Sequence, residues 1–231
     1  MDHSYKILNR IDKACKDSLK AAEGRRGTIL ISYASGVNVV LMRILLLFRE
    51  KFPDVEIIFK QSLSVDIIED LQEGRIHIGV LPPFENKLIH FQTISISPNG
   101  VILPLTHSLA GDTTPLKVKE LEDEPFVVSS RTSLFFDHIQ YICNQSSFSP
   151  KIVQEVLGLP TIISCVASGM GVSIVSKLTM QQHPNPKIVF RELRPITELK
   201  TALAWRKDEK SPSVHNFLSF AKEYLDKNNL P

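Results

Sequence analysis

The chain has 231 residues, 43% hydrophobic and 23% charged, with a formal net charge of +2. Those proportions suit a soluble globular protein, and the near-neutral balance points neither to a nucleic-acid surface nor to an acidic tail. Charges throughout the first residues argue against a signal peptide, and no apolar run approaches the roughly 20 residues of a membrane helix. Three cysteines, Cys15, Cys143 and Cys165, are far apart and odd in number, which fits free thiols in a reducing compartment. The expectation is a cytoplasmic protein.

Residues 4–23 read as one helix. Leu8, Ile11, Cys15 and Ala22 form a narrow apolar seam flanked by Ile7 and Leu19. So thin a seam buries little within one chain, and Gly24-Arg25-Arg26-Gly27 cuts it off from the first strand. Pairing with a second copy is the favoured reading, and packing on its own domain is the other.

The pattern then alternates. A strand over 28–33 precedes a helix over 37–51, and Phe52-Pro53-Asp54 makes a turn. A strand over 55–59, a helix over 64–74 ending on Gly74, and a strand over 76–80 complete a βαβαβ unit with right-handed crossovers. Two short apolar runs between Ile94 and Leu103 flank Ser97-Pro98-Asn99-Gly100. Beyond them lies a second alternation, with strands over 126–128, 151–156 and 172–176 and helices over 134–144 and 161–168. A strand over 199–205 and an amphipathic helix over 214–227 close the chain. The fold class is α/β in two halves.

Catalytic and metal signatures are absent. The sequence has no H-E-x-x-H, C-x-x-C, G-x-S-x-G or GxxxxGK[ST]. Seven histidines are scattered without metal-ligand spacing. Gly169-Met170-Gly171 comes after a helix and reads as its C-terminal turn, not as a phosphate loop. Asp137-His138 reads as a solvated helix face, because adjacent helical residues do not face each other. No enzyme, metal or cofactor is expected.

The strand-to-helix joints remain. Ligands of doubly wound sheets bind outside the carboxyl ends of the strands. Ser35, Gly36, Val37 and Asn38 lie after the first strand; Ser64, placed as an N-cap, lies after the second; Leu81 and Pro82 lie after the third. In the second half, Ser129 and Arg131 precede a helix that opens Leu134-Phe135-Phe136, and Thr161 opens another. Helix N-termini present free N–H groups and positive partial charge, so several in one cleft would favour a carboxylate. Each serine alone reads better as a plain cap; the case rests on their joint position. Arg131 could meet a ligand carboxylate or a nearby acidic side chain.

Longer motifs carry a family resemblance. Phe48-Arg49-Glu50-Lys51-Phe52-Pro53-Asp54-Val55, then Glu73-Gly74-Arg75-Ile76-His77-Ile78-Gly79-Val80, resembles the effector-binding domain of LysR-type transcriptional regulators. "VASGMGVSIV" (166–175), Thr106-His107-Ser108-Leu109 and the C-terminal "WRKDEKSPSVHNFLSFAKEYL" extend the likeness over most of residues 4–228. His77 stands where the family has aspartate, and Ser108 and Ser176 where it has proline. Peroxide-sensing members use a cysteine pair; Cys143 has no second cysteine in the next loop and reads as a buried structural thiol.

The resemblance implies two Rossmann-like subdomains, as in type 2 periplasmic binding proteins, preceded by a linker helix. The implied division is 1–24 for the linker and dimerisation helix, 25–96 with 208–231 for subdomain I, and 97–207 for subdomain II. It implies an effector, here a small organic acid, between the subdomains, and self-association as a dimer or tetramer. A complete member carries a winged helix-turn-helix before the linker, so this chain is expected to be a truncated form or an isolated domain that meets DNA only through that missing part. The competing class is a solute-binding protein for transport, which shares the fold.

Overall fold

The computed structural model describes residues 2–34 and 38–230, with side chains for all of these except residues 2–6, 8 and 9. Helix α1 (Asp2–Ala22) is tied to the body at its foot, where Asn216 Nδ2 donates to the Glu23 carbonyl at 2.8 Å and Lys20 pairs with Asp54 at 2.7 Å. Ile7, Ile11 and Leu19 are each more than half exposed, and Cys15 is exposed. That apolar seam meets no other element of the chain among the described residues; Leu8, expected in it, has its side chain outside them.

Strand β1 (Gly27–Tyr33) leads into α2 (Val39–Lys51), β2 (Val55–Gln61), α3 (Ser64–Gln72) and β3 (Ile78–Leu81). β1 pairs in parallel with β2 and with β3, so the βαβαβ reading holds. Gly74, at φ +73°, turns the chain out of α3 in a conformation that costs glycine little. Every second residue of β1 feeds one core: Ile29 and Ile31 pack with Ile44, Phe48, Ile78 and Phe217.

β4 (Ile89–Pro104) is a single 16-residue strand. It joins into one strand the two short apolar runs read on either side of Ser97-Pro98-Asn99-Gly100. Its first part packs Ile94 into the first core, and its last part packs Val101 and Leu103 into a second. Beyond it come β5 (Leu116–Lys117), β6 (Pro125–Val128), α4 (Leu134–Gln145), β7 (Lys151–Glu155), α5 (Leu159–Ala167), β8 (Ser173–Ser176), α6 (Lys177–Gln182) and β9 (Ile188–Arg194). β5, α6 and β9 are not anticipated by the periodicity. Gly169, at φ +83°, ends α5 as the glycine-rich turn predicts.

β10 (Glu198–Arg206) returns antiparallel to both β4 and β3, and α7 (Pro212–Lys227) closes the first core. The large sheet runs β2-β1-β3-β10-β4-β9-β5, with β8 also on β4 and a separate parallel pair β6-β7. The architecture is therefore two α/β bodies joined by two crossing strands. The boundary at 207 shifts: Ala202, Leu203 and Ala204 pair with β3, and Leu203 and Ala204 pack in the first half. β10 changes halves near the register shift between Thr201 and Ala202.

His77, where the resemblance leads one to expect aspartate, keeps an acceptor at the same place. Its Nδ1 accepts the Leu30 N–H at 2.9 Å, and the His77 backbone N–H donates to the Leu30 carbonyl at 3.0 Å. His77→Ala should cost about 1–3 kcal/mol by stranding a half-buried donor, and His77→Asp should cost less. Urea denaturation checks the order of the two variants.

Candidate functional site

Between the halves lie two adjoining chambers that share Ala34, Ser129, Phe135 and Gly158. The inner one has a cavity volume of about 60 Å³ and the outer about 480 Å³, so the outer is in the size range of small-molecule sites and the inner has room for a small group.

The floor of the inner chamber comes from the crossing strands. Ser95 and Ser97 of β4 stand opposite Thr201 and Leu199 of β10, so all four side chains share one face. Asn38 caps α2 by accepting the Val40 N–H at 2.7 Å, and its Nδ2 donates to Ser95 Oγ at 2.5 Å. This buried amide ties the start of α2 to the crossing strand. From the second half come Ser176, which caps α6 by accepting the Thr179 N–H at 3.2 Å, and the apolar Leu159 and Ile162 of α5.

The outer chamber is lined by Lys60, Gln61 and Ser62 at the end of β2, by Ser64 and Asp66 of α3, and by Pro82 and Ser133. Ser133 is the N-cap of α4 and accepts the Phe136 N–H at 3.1 Å. Ser64 is not the N-cap expected of it. Leu63 holds that position without a side-chain hydrogen bond, and Ser64 is the first helical residue. The Ser64 hydroxyl is buried and has no hydrogen-bond partner among the described residues. The apolar N-cap leaves the N–H groups of the first turn of α3 without a side-chain cap.

The expected site residues divide accordingly. Asn38, Ser64, Pro82, Ser129 and Phe135 line the chambers. Ser35, Gly36 and Val37 lie outside the described residues. Leu81 is core, packed with Ile67 and Leu71, and Phe136 is core of the second half. Arg131 is on the surface, where Glu155 accepts from its backbone N–H at 2.9 Å and pairs with its Nε at 3.3 Å; the acidic neighbour is its partner. Thr161 is exposed because α5 starts two residues earlier, at Leu159, which turns Leu159 and Ile162 inward instead. Leu134 lines neither chamber but packs across the gap against the Ile67 and Leu71 cluster of the first half. Ser95, Ser97, Thr201 and Ser176 are wall residues that the strand-to-helix joints do not reveal. The I-S-I-S alternation at 94–97 is the signal that could have found the first two.

Two other expectations meet the geometry. His138 is not on a solvated face: its Nε2 lies 2.9 Å from Asn99 Nδ2, and burial lowers its pKa, which favours the neutral ring. Cys143 is buried, and burial pushes its thiol up to about 12, which suits an inert structural residue. Among the described residues no helix is long and apolar enough to cross a membrane, and no His/Cys/Asp/Glu group could hold a metal.

Comparison with known proteins places this geometry. A family described as the LysR substrate binding domain matches residues 22–226. The HTH-type transcriptional regulator AlsR of Bacillus subtilis (strain 168) is 29% identical over 224 residues, covering 94% of this chain and 73% of AlsR. Full-length CbnR complexed with its target DNA superposes with a TM-score of 0.81 at 18% identity, over 97% of this chain and 80% of that one. The effector-binding domain of QuiR in complex with shikimate gives 0.79 at 22% identity, over 87% and 98%.

Proposed function

The chain belongs to the LysR substrate binding domain family, and from that premise we propose that it is the effector-sensing and oligomerisation domain of a LysR-type DNA-binding transcriptional regulator. A small organic acid is its effector, held in the cleft between the two halves. The observation that carries the acid is Ser64: a buried hydroxyl without a partner among the described residues, at the uncapped N-terminus of α3, with Lys60 on the same wall. Free N–H groups, a hydroxyl and an ammonium on one chamber suit a carboxylate.

Binding across a gap spanned by two strands favours the closed arrangement of the halves, and closure biases how subunits pack. The apolar seam of α1 supports self-association as a dimer or tetramer. DNA is met outside residues 1–231, by a helix-turn-helix part that the HTH-type name of AlsR and the DNA complex of CbnR suggest. In this reading the protein works in the cytoplasm and catalyses nothing. The solute-binding alternative has less support, because AlsR is itself a transcriptional regulator and α1 offers a face for a second copy.

A thermal-shift screen against small aromatic and aliphatic carboxylates tests the reading. A ligand at 100 times its Kd adds about 2.7 kcal/mol, and each kcal/mol raises the Tm of a domain this size by about 2–4 °C. Ser64→Ala should have opposite effects on the two states. Without ligand it removes an unpaired buried hydroxyl and should raise stability slightly, by up to about 1 kcal/mol. With ligand it should weaken binding roughly tenfold. An unchanged Kd in Ser64→Ala would remove this residue from the site.

A further inference from the structure

The two chambers differ in charge, and the difference selects among acids. The outer chamber carries Lys60 and Asp66; among the described residues the inner is walled by no Asp, Glu, Lys, Arg or His. The residues outside the described set at this joint, Ser35, Gly36 and Val37, are uncharged too. What the inner chamber offers is hydroxyl groups. Ser95 is 8% exposed and Ser97 6%. Each oxygen already accepts an N–H, from Asn38 Nδ2 at 2.5 Å and from the Leu178 backbone at 3.0 Å. A serine hydroxyl carries one donor and two acceptor positions. In these bonds both serines act as acceptors, so their O–H groups are left to donate, and Thr201 lies across the strand pair from Ser95 on the same chamber.

A full charge in such a chamber would lose its water and gain no opposite charge, which is costly. A purely apolar group would leave the two buried O–H donors without an acceptor, which is also costly. A neutral oxygen function avoids both. We infer that the effector is a monocarboxylate bearing an uncharged hydroxyl or carbonyl group, with the carboxylate in the outer chamber and the neutral oxygen on Ser95 and Ser97 in the inner one. This rests on the acid-sensing reading above and narrows it to one class. The effector passes the shared wall at Phe135, and its neutral end touches both crossing strands, β4 through the two serines and β10 through Thr201. Recognition of that end is therefore made on the two strands that join the halves.

Four acids with four carbons each separate the possibilities: butyrate, β-hydroxybutyrate, acetoacetate and succinate, titrated calorimetrically into the purified chain. The hydroxy and keto acids should bind roughly tenfold or more tightly than butyrate, and succinate no better than butyrate. Ser95→Ala with Ser97→Ala should bring the hydroxy and keto acids down to the level of butyrate and leave butyrate unchanged. Thr201→Val, which keeps its shape and breaks no internal hydrogen bond, should lower the same two acids and serves if the double variant folds poorly. Tightest binding of succinate, or equal binding of butyrate and β-hydroxybutyrate, would overturn the inference while leaving the acid-sensing reading intact. So would an equal loss of all acids in the serine variants, since the carboxylate itself would then sit inside. Failure of every acid to bind at millimolar concentration would overturn both.

Discussion

Phe48→Ala should lower the stability of the chain by about 3–5 kcal/mol, the loss typical of a buried aromatic truncated to alanine. Phe48 is fully buried. Its ring stacks on Phe52 with centroids 4.5 Å apart and meets Phe217 and Phe220 edge-on at 5.1 and 5.7 Å. Those partners come from the turn after α2 and from α7, so one ring joins the first body to the helix that comes after the last crossing strand. The truncation removes area and three aromatic contacts, and the surrounding helices can close the gap only in part. At about 2–4 °C per kcal/mol the Tm should fall by roughly ten degrees, and urea titration with a shared m-value should give the same loss. A loss below about 1.5 kcal/mol would mean that α7 is not docked on α2 as the structure has it. Because β4 and β10 thread both bodies, the transition should stay single: a first half that melts takes the shared strands with it.

The same threading explains what the sequence conveys and what it hides. α2, α3, α4 and α7 are legible because their apolar residues repeat at helical spacing against one core each, and β1, β2 and β3 because short apolar runs alternate with those helices. β4 is not legible, because its partners change partway. It pairs with β10 from Ile89 to Pro98 and with β8 and β9 from Asn99 onward. Pro98 falls at that change of partners, so a residue that normally signals a turn stands inside a strand. Splitting the strand into two short runs also hides Ser95 and Ser97, which line the inner chamber. β9 is hidden by Arg191, which looks like a surface charge but is 5% exposed. Its guanidinium donates to the carbonyls of Leu109 and Thr114 and so fastens the loop after β4. Helix starts explain the misplaced candidates. Ser64 and Thr161 stand one and two residues from the helical positions that the spacing predicts for them. On a helix each residue turns the side chain by about 100°. The sequence therefore reveals the joints, whereas the side of each joint that faces the cleft depends on the helix phase.

Leu134→Ala should act on closure, not on contact with the effector. Leu134 lies on α4 of the second half, lines neither chamber, and packs against Ile67, Leu71 and Leu81 of the first. Its apolar contact is made only when the halves are together, so it favours the closed arrangement by its buried area. Half-buried leucine area removed at that contact is worth about 1–2 kcal/mol. An effector that binds the closed arrangement binds less tightly in proportion to the fraction that remains closed. Apparent affinity should therefore fall by up to roughly tenfold, although no group touching the effector has changed. Small-angle scattering of the effector-free variant should give a larger radius of gyration than the wild type, returning to the wild-type value when the effector is saturating. Ser64→Ala, by contrast, should weaken binding without changing the effector-free envelope. The pair of variants separates the residues that hold the acid from the residue that holds the two bodies together. An unchanged envelope and an unchanged Kd in Leu134→Ala would show that the two crossing strands alone fix the angle between the halves.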